Sequence, residues 1–552
     1  MKHAIFQYWD DKLAIGAEKW ARQCTYGNNE EAKLYRHIPS YYYPVGQNAG
    51  FDGRGWKTIF WAWDREKEFY KLVSLIQGSC FSYGVWPYKT KSYKFPGPSP
   101  YPFFGTLTQL LSKGVDEFDS EVIKKYGKVS LTWACRQPQL LVADPDMVRE
   151  INIKQFPNFV NRVVTRGRFA MTDIERNQLT MLEDDHWKFV RATLTPAFSS
   201  GRTPRGKTLL HHWKCVRDHF DSFLQLGRFK RWFHYFKNCT ANLMDIIAER
   251  SKRGESFGLV FPFVARILQY FNISSMPKES QQTIDVIKRD VKSNIEQRKQ
   301  QEAKRRDLLQ LMIDARADDI DKSEDKVDAK YLENNIKHQR KGLTEAEIMA
   351  QSFIFLVAGY ATTAGTMSLL AYNLALHPEC QGQVIEEIDS EIGEEKPTYD
   401  NVTNLHYLDM CLSETLRLFP ATSRTTREAK DDIVIKGHLI PKDMAVQFPV
   451  GYLHRNPEHW PEPEKFKPER FTPEEKAKRH PYVYMPFGVG PRNCVGMRLA
   501  QLEAKMAIVT ILQKFRFVRS VDTEVPIKFT KIGLNDPVNG IWLKIESRSG
   551  HE

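Results

Sequence analysis

Apolar side chains recur along this chain at the three- and four-residue spacing of amphipathic helices. Helices are predicted over four stretches: 107–126, 183–197, 402–419 and 497–517. Two short alternating runs, Lys128–Trp133 and Gln139–Ala143, are separated by a turn and predict a β-hairpin. The Pro-rich segment Phe95–Gly105 resists helix formation and predicts a rigid hinge before the first helix.

The longest apolar run, from Ile348 to Pro378, contains no charged residue. It follows Thr344 and Glu347, which form the pattern of a helix capping box. A run of this length is also typical of a transmembrane helix. Polar residues interrupt it, no cluster of basic residues flanks it, and globular patterns continue on both sides. We therefore predict a buried central helix.

Residues 1–82 carry few readable patterns. Their start lacks the apolar stretch of a signal peptide, and no window holds the roughly 20 apolar residues that span a bilayer. No N-terminal membrane anchor is therefore visible. We divide the chain into an atypical N-terminal segment, 1–82, and one large domain, 83–549.

Three internal segments differ from the helical patterns around them. Residues 201–256 are strongly basic with interleaved aromatic residues, and they match no pattern that we recognise. Residues 257–273 are apolar and aromatic but contain a proline and an arginine, so a core segment is preferred over one that dips into a membrane. Residues 317–340 are charged without apolar periodicity and predict a solvated loop.

The composition is that of a folded protein with a sizeable core, since 41% of the 552 residues are hydrophobic and 12% aromatic. The eight cysteines are scattered without a Cys-x-x-Cys pair, which favours a reducing compartment and argues against a zinc finger or disulfide scaffold. The net charge of +12 suits an acidic protein partner or an anionic membrane surface, although ordinary surface charge is the preferred explanation. Because no nucleic-acid recognition motif accompanies the charge, we predict no nucleic-acid partner.

One cysteine stands apart because of its surroundings. The segment Phe487–Gly496 reads Phe-Gly-Val-Gly-Pro-Arg-Asn-Cys-Val-Gly, a glycine-rich loop that ends where a predicted helix begins. Free backbone N–H groups near the sulfur of Cys494 are expected to stabilise a thiolate and to lower the pKa of this thiol. A thiolate presented in this way is a metal ligand or a nucleophile, and a buried structural cysteine is the alternative.

The full pattern, Phe-x-x-Gly-x-Arg-x-Cys-x-Gly, resembles the haem-binding signature of the cytochrome P-450 family. The resemblance implies a mainly α-helical fold with small β-sheets, in which haem b lies between a long central helix and the cysteine loop. Cys494 would be the thiolate ligand of the iron, and Phe487 would pack against that thiolate. Two further matches, Glu414-Thr-Leu-Arg417 and Arg470 within Pro-Glu-Arg-Phe, imply a buried charge network that holds the cysteine loop in shape.

Other matches imply contacts to the haem propionates. Trp187 and Arg191 stand four residues apart on one predicted helix face and resemble the Trp-x-x-x-Arg contact of the family. Arg424 matches the position of a second propionate-binding arginine, and Arg492 matches a third. Arginine suits carboxylates because its guanidinium is planar and permanently charged.

Within the long apolar run, Ala358-Gly-Tyr-Ala-Thr-Thr363 resembles the oxygen-activation motif of the family, in which Asp or Glu precedes the first threonine. The resemblance implies that Thr362 helps to deliver protons to dioxygen. Ala361 occupies the acidic position here, so we expect slower oxygenation or release of oxygen as peroxide, unless water or another acid substitutes. We also expect Gly359 to leave room for a ligand, and the Thr362 hydroxyl to bond a carbonyl one turn back.

The resemblance is dense over 344–548 and points to the microsomal animal group that acts on bulky lipophilic compounds and steroids. It implies a monooxygenase that inserts one oxygen atom from dioxygen into a lipophilic small molecule. An NADPH-cytochrome reductase would supply electrons, with a cytochrome b-type protein as a further donor, at the cytosolic face of the endoplasmic reticulum membrane through peripheral contact. Two alternatives stay open: a thromboxane-synthase-like isomerase or dehydratase of lipid peroxides that needs no reductase, and a haem binder without catalytic activity.

Overall fold

The computed structural model describes residues 94–101, 104–134, 137–163, 173–198, 288–289, 291–298, 308–315, 342–531 and 534–548. The interpretations of 1–82, 201–256, 257–273 and 317–340 lie outside these residues. By its contacts the chain divides into two units, Met1–Gly105 and Thr106–Glu552. The proposed boundary at residue 83 stays a prediction.

The described part of the second unit is mainly helical, and its helices come in this order: α1 Leu107–Lys113, α2 Val115–Tyr126, α3 Pro145–Arg149, α4 Asp173–Arg176, α5 Asp184–Phe198, α6 Leu308–Asp314, α7 Glu345–Leu376, α8 Pro378–Glu391, α9 Tyr399–Thr403, α10 His406–Leu418, α11 Val450–Arg455, α12 Pro473–Lys478 and α13 Met497–Leu512. A short π-helix, Glu150–Lys154, continues α3. The single helix predicted over 107–126 is two helices, because Gly114 adopts a φ of 94° between them. Of the helix predicted over 402–419, residues 402–403 end the short helix α9 and residues 406–418 form α10.

The strands of the described residues form three small sheets, as the fold class implies. They are β1 Val129–Ala134, β2 Gln137–Val142, β3 Arg424–Glu428, β4 Ile433–Ile435, β5 His438–Ile440, β6 Ala445–Pro449, β7 Phe515–Arg519 and β8 Leu543–Ser547. The largest sheet has the order β1-β2-β6-β3, and β1 pairs with β2 as the predicted hairpin. Strand β6 runs parallel to β2 and antiparallel to β3, which brings β3 to one edge of this sheet.

Helix α7 begins with the predicted capping box, in which Thr344 and Glu347 exchange hydrogen bonds. Its length and composition would also allow it to cross a membrane. Near its C-terminal end residues 369–375 are buried, whereas Leu356 and Val357 in its middle are 58% and 37% exposed. The prediction of a buried central helix is therefore correct for the ends of α7 and wrong for its middle, where apolar side chains are accessible.

Two hydrophobic clusters join α7 to the cysteine loop. The first contains Leu370 of α7 together with buried residues of α10 and α13, and Phe487 packs against it. The second contains Trp187 of α5, and both Phe355 of α7 and Val495 of the cysteine loop pack against it. Packing of this kind fixes relative positions, since protein interiors are close-packed and tolerate little displacement. The central helix and the cysteine loop are thus held together at two separate points.

The predicted charge network lies between α10 and the segment before the cysteine loop. The side chains of Glu414 and Arg417 are fully buried, and two hydrogen bonds of 2.7 and 2.8 Å join them. The backbone N–H of Lys467 donates to Glu414 at 2.9 Å, and the guanidinium of Arg470 approaches the same carboxylate at 3.4 Å. A buried pair needs such additional partners, because desolvation alone costs several kcal/mol per ion.

A histidine connects this network to the cysteine loop. Arg417 donates to the carbonyl oxygen of His454 at 2.9 Å, and the Nε2 atom of His454 accepts a bond of 2.9 Å from the N–H of Met485. Burial, with the charges of Arg417 and Arg455, lowers the pKa of His454 to about 3. The ring therefore stays neutral at ordinary pH, and its Nε2 atom keeps the lone pair that this bond needs.

Candidate functional site

The cysteine loop closes through its own backbone. The N–H of Cys494 donates to the carbonyl oxygen of Phe487 at 2.9 Å, and the N–H of Asn493 donates to that of Gly490 at 3.0 Å. Gly490 adopts a φ of 79°, and a Cβ at this position would lie 2.1 Å from the carbonyl oxygen of Asn152 in the π-helix. Only glycine meets both conditions, so the loop is locked against the neighbouring helix by a close backbone contact.

The environment of the sulfur differs from the expectation. The Cys494 side chain is accessible to solvent, but enough protein atoms surround it for burial to raise the pKa of its thiol. The backbone N–H of Gly496 and the charges of Arg191 and Arg162 act in the opposite direction without overcoming burial. The expectation of a lowered thiol pKa is therefore wrong, because desolvation of the thiolate outweighs these groups.

Helix α5 contacts the cysteine loop through the two predicted residues. Arg191 donates to the carbonyl oxygen of Asn493 at 3.0 Å and to its side-chain oxygen at 3.1 Å. Trp187 is buried, and its ring lies 4.6 Å from the guanidinium carbon of Arg492. An arginine over an indole gains a cation–π interaction as well as packing. The Trp-x-x-x-Arg face of α5 thus lies against the loop that carries Cys494.

Arg492 is buried and bonded to backbone carbonyl oxygens. Its terminal nitrogens donate to Val160 at 2.7 Å and to Leu182 at 2.6 Å. Burial and the nearby charge of Arg162 lower the pKa of Arg492 to about 9. Its Nε atom is buried and has no hydrogen-bond partner among the described residues. One donor of this guanidinium is therefore available to an acceptor in the site.

The structure places Arg424 on a different side of strand β3 from the cysteine loop. Its guanidinium pairs with the buried carboxylate of Asp119 in α2 and donates to Gln447 at 2.6 Å. Arg427 lies three residues further along the same strand, and side chains three apart point to opposite faces of a strand. Arg427 donates to the carbonyl oxygen of Val489 in the cysteine loop at 3.4 Å. The arginine that β3 contributes to the loop is therefore Arg427, and Arg424 ties β3 to α2.

An arginine cluster beside the cysteine loop consists of Arg162, Arg191, Arg427 and Arg492. The sequence did not predict two of its members, Arg162 and Arg427. Arg427 is 2% exposed, and burial, followed by the charges of Arg162 and Arg492, lowers its pKa to about 9. Arg162 donates to the carbonyl oxygen of Arg492 at 3.3 Å, and burial lowers its pKa as well. The Nε atoms of both have no hydrogen-bond partner in the part of the chain that the structure describes. No periodic pattern in the sequence marks Arg162, because this residue lies between helices and strands.

The middle of α7 supplies the other predicted residues. The Thr362 hydroxyl donates to the carbonyl oxygen of Ala358 at 2.7 Å, and the Thr366 hydroxyl donates to that of Thr362 at 2.8 Å. The first of these bonds is the one expected from the sequence. A Cβ at Gly359 would meet no atom within 4 Å, which confirms that there is room beside the helix. Ala361 provides no carboxyl group to this stretch.

The site combines three features. Its cysteine lies in a closed glycine-rich loop, a buried cluster of arginines lies beside that loop, and a long helix presents an accessible apolar middle. Together these features are typical of a haem-thiolate site. The family model of cytochrome P450 matches residues 95–543, and the chain belongs to this family. Curated relatives support the same assignment over most of their length. They include cytochrome P450 3A29 of Sus scrofa, 36% identical over 508 residues, which are 87% of this chain and 95% of that protein.

Two further relatives are cytochrome P450 3A28 of Bos taurus and cytochrome P450 3A56 of Fundulus heteroclitus. The first is 35% identical over 506 residues, which cover 86% of this chain and 94% of that protein. The second is 37% identical over 496 residues, which cover 85% and 95%. The resemblance seen in the sequence is thereby confirmed.

The protein is a haem-thiolate monooxygenase, and its cofactor is haem held by a cysteine thiolate. The family also implies a lipophilic substrate and a reductase as redox partner. Nothing in the comparisons favours the lipid-peroxide isomerase alternative.

Proposed function

We propose that the haem iron binds to Cys494 and that four arginines hold the haem carboxylates: Arg162, Arg191, Arg427 and Arg492. The observation that carries this proposal is the set of buried Nε atoms on Arg162, Arg427 and Arg492, which have no partner among the described residues. Buried donors of this kind are rare unless an acceptor completes them. Carboxylates form their strongest hydrogen bonds with guanidinium groups, so the anionic edge of haem fits the cluster.

The charge of the cluster supports the same assignment. Arg162 and Arg492 both contribute to the lowered pKa of Arg427, which means that their positive charges lie close enough to repel one another. Bringing two carboxylates among these guanidinium groups replaces that repulsion by attraction. In this proposal the Trp187 ring packs against the Arg492 guanidinium and holds it in place. Arg424 acts on the site only by fixing strand β3.

We further propose that the accessible middle of α7 forms the wall over which a lipophilic substrate lies. Leu356 and Val357 present apolar side chains there, and Gly359 offers backbone without a side chain. Burial of apolar substrate surface against such a wall is favourable by about 25 cal/mol per Å². When bound, the haem iron activates dioxygen so that one oxygen atom enters a C–H bond and the other leaves as water, which consumes two electrons and two protons.

Thr362 is proposed to manage protons on this side of the haem. Its hydroxyl hydrogen is engaged by the carbonyl oxygen of Ala358, so its oxygen keeps lone pairs that can accept a bond from a water or an acid. The hydroxyl therefore holds such a donor in place beside the exposed stretch of α7. Phe487 is proposed to shield the proximal side, since its ring packs against the core cluster that supports the loop.

The first prediction separates Arg427 from Arg424. Arg427→Met keeps an unbranched side chain but removes the guanidinium that would donate to a haem carboxylate, and we expect the dissociation constant of haem to rise about 10- to 100-fold. Arg424→Met is the matched control on the same strand, and it should lower stability without a comparable loss of haem affinity. Haem transfer to an acceptor protein measures both. A larger effect of Arg424→Met on haem affinity would contradict the proposal.

The second prediction concerns the wall formed by α7. Gly359→Ala adds a methyl group where the protein itself has space, so the helix should gain up to about 1 kcal/mol of stability. The same methyl group narrows the proposed substrate site, and spectral binding of a steroid probe such as progesterone should weaken severalfold. Gly365→Ala is the control on the same helix, where an added Cβ also meets no atom within 4 Å. Equal effects of both variants on binding would refute the assignment of the wall.

We propose an NADPH-cytochrome reductase as the particular partner, met through surface charge at the cytosolic face of the endoplasmic reticulum membrane. The net charge of +12 supports an acidic partner surface. Rates of reduction by this reductase should then fall as salt rises from about 0.01 to 0.15 M, over which the Debye length shortens from about 30 to 8 Å. Stopped-flow reduction that is insensitive to salt would exclude an electrostatic encounter.

A further inference from the structure

His454 of α11 is fully buried, and it contacts both the charge network and the segment that leads into the cysteine loop. Its carbonyl oxygen accepts a hydrogen bond of 2.9 Å from the guanidinium of Arg417. Its ring nitrogen Nε2 accepts a second bond of 2.9 Å from the backbone N–H of Met485. One residue thus connects the buried ion pair of α10 to the chain just before the loop.

The other ring nitrogen decides which tautomer of His454 is present. Burial and, after it, nearby arginine charges lower the pKa of His454, whereas the carbonyl groups of Arg417 and Leu416 act in the opposite direction because they favour a ring proton. These carbonyl groups lie at the end of α10, where Pro420 has no N–H to offer to Leu416. Nδ1 is buried and makes no hydrogen bond with the described residues. A single proton on Nδ1 leaves Nε2 free to accept from Met485.

The ring of His454 is held in its orientation by an aromatic neighbour. It stacks on the ring of Tyr484, with the two centroids 5.2 Å apart and the planes inclined by 28°. The hydroxyl group of Tyr484 in turn donates to the carbonyl oxygen of Ser413 in α10 at 2.9 Å. A stacked ring cannot rotate freely, so Nε2 stays directed at the N–H of Met485.

Met485 passes this position on to the sulfur through the backbone. Its carbonyl oxygen accepts from the N–H of Gly488 at 3.0 Å, and the carbonyl oxygen of Phe487 accepts from the N–H of Cys494 at 2.9 Å. A buried N–H that loses its acceptor is costly and is rarely left unpaired. Without the acceptor of His454, the Met485 segment would therefore shift towards another partner, and the loop that starts two residues later would shift with it.

We propose that His454 is a positioning residue for the iron ligand. By accepting from Met485, its Nε2 atom holds the cysteine loop in the arrangement that presents Cys494 to the haem. The inference rests on the proposed ligation of the iron by Cys494, and it adds one requirement, a hydrogen-bond acceptor at the position of Nε2. Loss of that acceptor should weaken thiolate ligation without a matching loss of haem, because the arginine cluster remains.

The test compares three variants of the haem-loaded enzyme. His454→Gln places an amide oxygen close to the position of Nε2, His454→Asn carries the same amide on a shorter side chain that does not reach, and His454→Leu has no acceptor. During the same mild heating, the thiolate Soret band of the reduced carbon-monoxide complex should be lost at least about tenfold faster in His454→Asn and His454→Leu than in the wild type. His454→Gln should stay within about threefold of the wild-type rate, and all three should retain their haem.

A second readout follows the hydrogen bond itself and does not depend on the thiolate. Hydrogen exchange at the amide of Met485 is measured by mass spectrometry, and it is simple to isolate because the next residue, Pro486, has no N–H. Exchange should accelerate at least about tenfold in His454→Asn and His454→Leu, and much less in His454→Gln, since only glutamine replaces the acceptor.

His480→Leu is the matched control. The ring of His480 also accepts a backbone N–H, that of Tyr482 at 3.3 Å, but it is partly exposed and contacts Asp146. This variant should change neither the thiolate band nor the exchange at Met485. The inference is overturned if His454→Gln and His454→Asn behave alike, if His480→Leu acts as strongly as His454→Leu, or if exchange at Met485 is the same in His454→Leu as in the wild type.

The two proposals fail in different ways. A wild-type enzyme that binds haem but shows no thiolate band would overturn ligation by Cys494 and, with it, this inference. A normal wild-type band that His454→Leu keeps at the wild-type rate would exclude His454 alone and leave Cys494 as the ligand.

Discussion

Positive charge held beside Cys494 is the constraint on which the rest of the site depends. Arg162, Arg427 and Arg492 are desolvated together, and their mutual repulsion adds to the cost of burial. Backbone carbonyl oxygens offset part of this cost by accepting from the terminal nitrogens, but each Nε atom stays unpaired within the described structure. Such a cluster is stable only with a dense scaffold and an anionic partner, and in the proposed site the carboxylates of haem would meet the second condition.

The scaffold works through a chain of contacts rather than through one bond. The fully buried pair Glu414–Arg417 holds the carbonyl group of His454, and the ring of His454 holds the N–H of Met485 at the start of the cysteine loop. On the other side, Gly490 presses directly against the π-helix that follows α3. The loop is therefore fixed from both ends. This geometry suits a ligand whose reactivity depends on a constant iron–sulfur arrangement.

Local spacing in the sequence was enough to predict the features that depend on neighbours along one helix. The Thr344–Glu347 capping box, the Glu414–Arg417 pair and the shared face of Trp187 and Arg191 are all of this kind. A pattern of three or four residues determines such contacts, because the helix itself brings the side chains together.

Features that depend on packing between elements could not be read in this way. Arg424 and Arg427 lie on one strand, and without the register of β3 in its sheet the sequence does not tell which of them faces the cysteine loop. Arg162 reaches the cluster from a segment between helices, where no periodicity marks it. The raised pKa of the Cys494 thiol depends on how far the thiol is buried, and the accessibility of the middle of α7 depends on what packs against it. Both are set by the packing of the whole fold. Contacts within one helix are thus largely predictable from the sequence, and contacts between elements are not.

The central claim is that Cys494 is the thiolate ligand of the haem iron, and a carbon-monoxide difference spectrum of the reduced protein tests it most directly. The wild-type protein should give the Soret band of a thiolate-ligated haem. Cys494→Ser should lose this band while the protein remains folded, because the arginine cluster and the charge network are unchanged. A thiolate band that survives in Cys494→Ser, or one that is missing from the wild-type protein loaded with haem, would contradict the account.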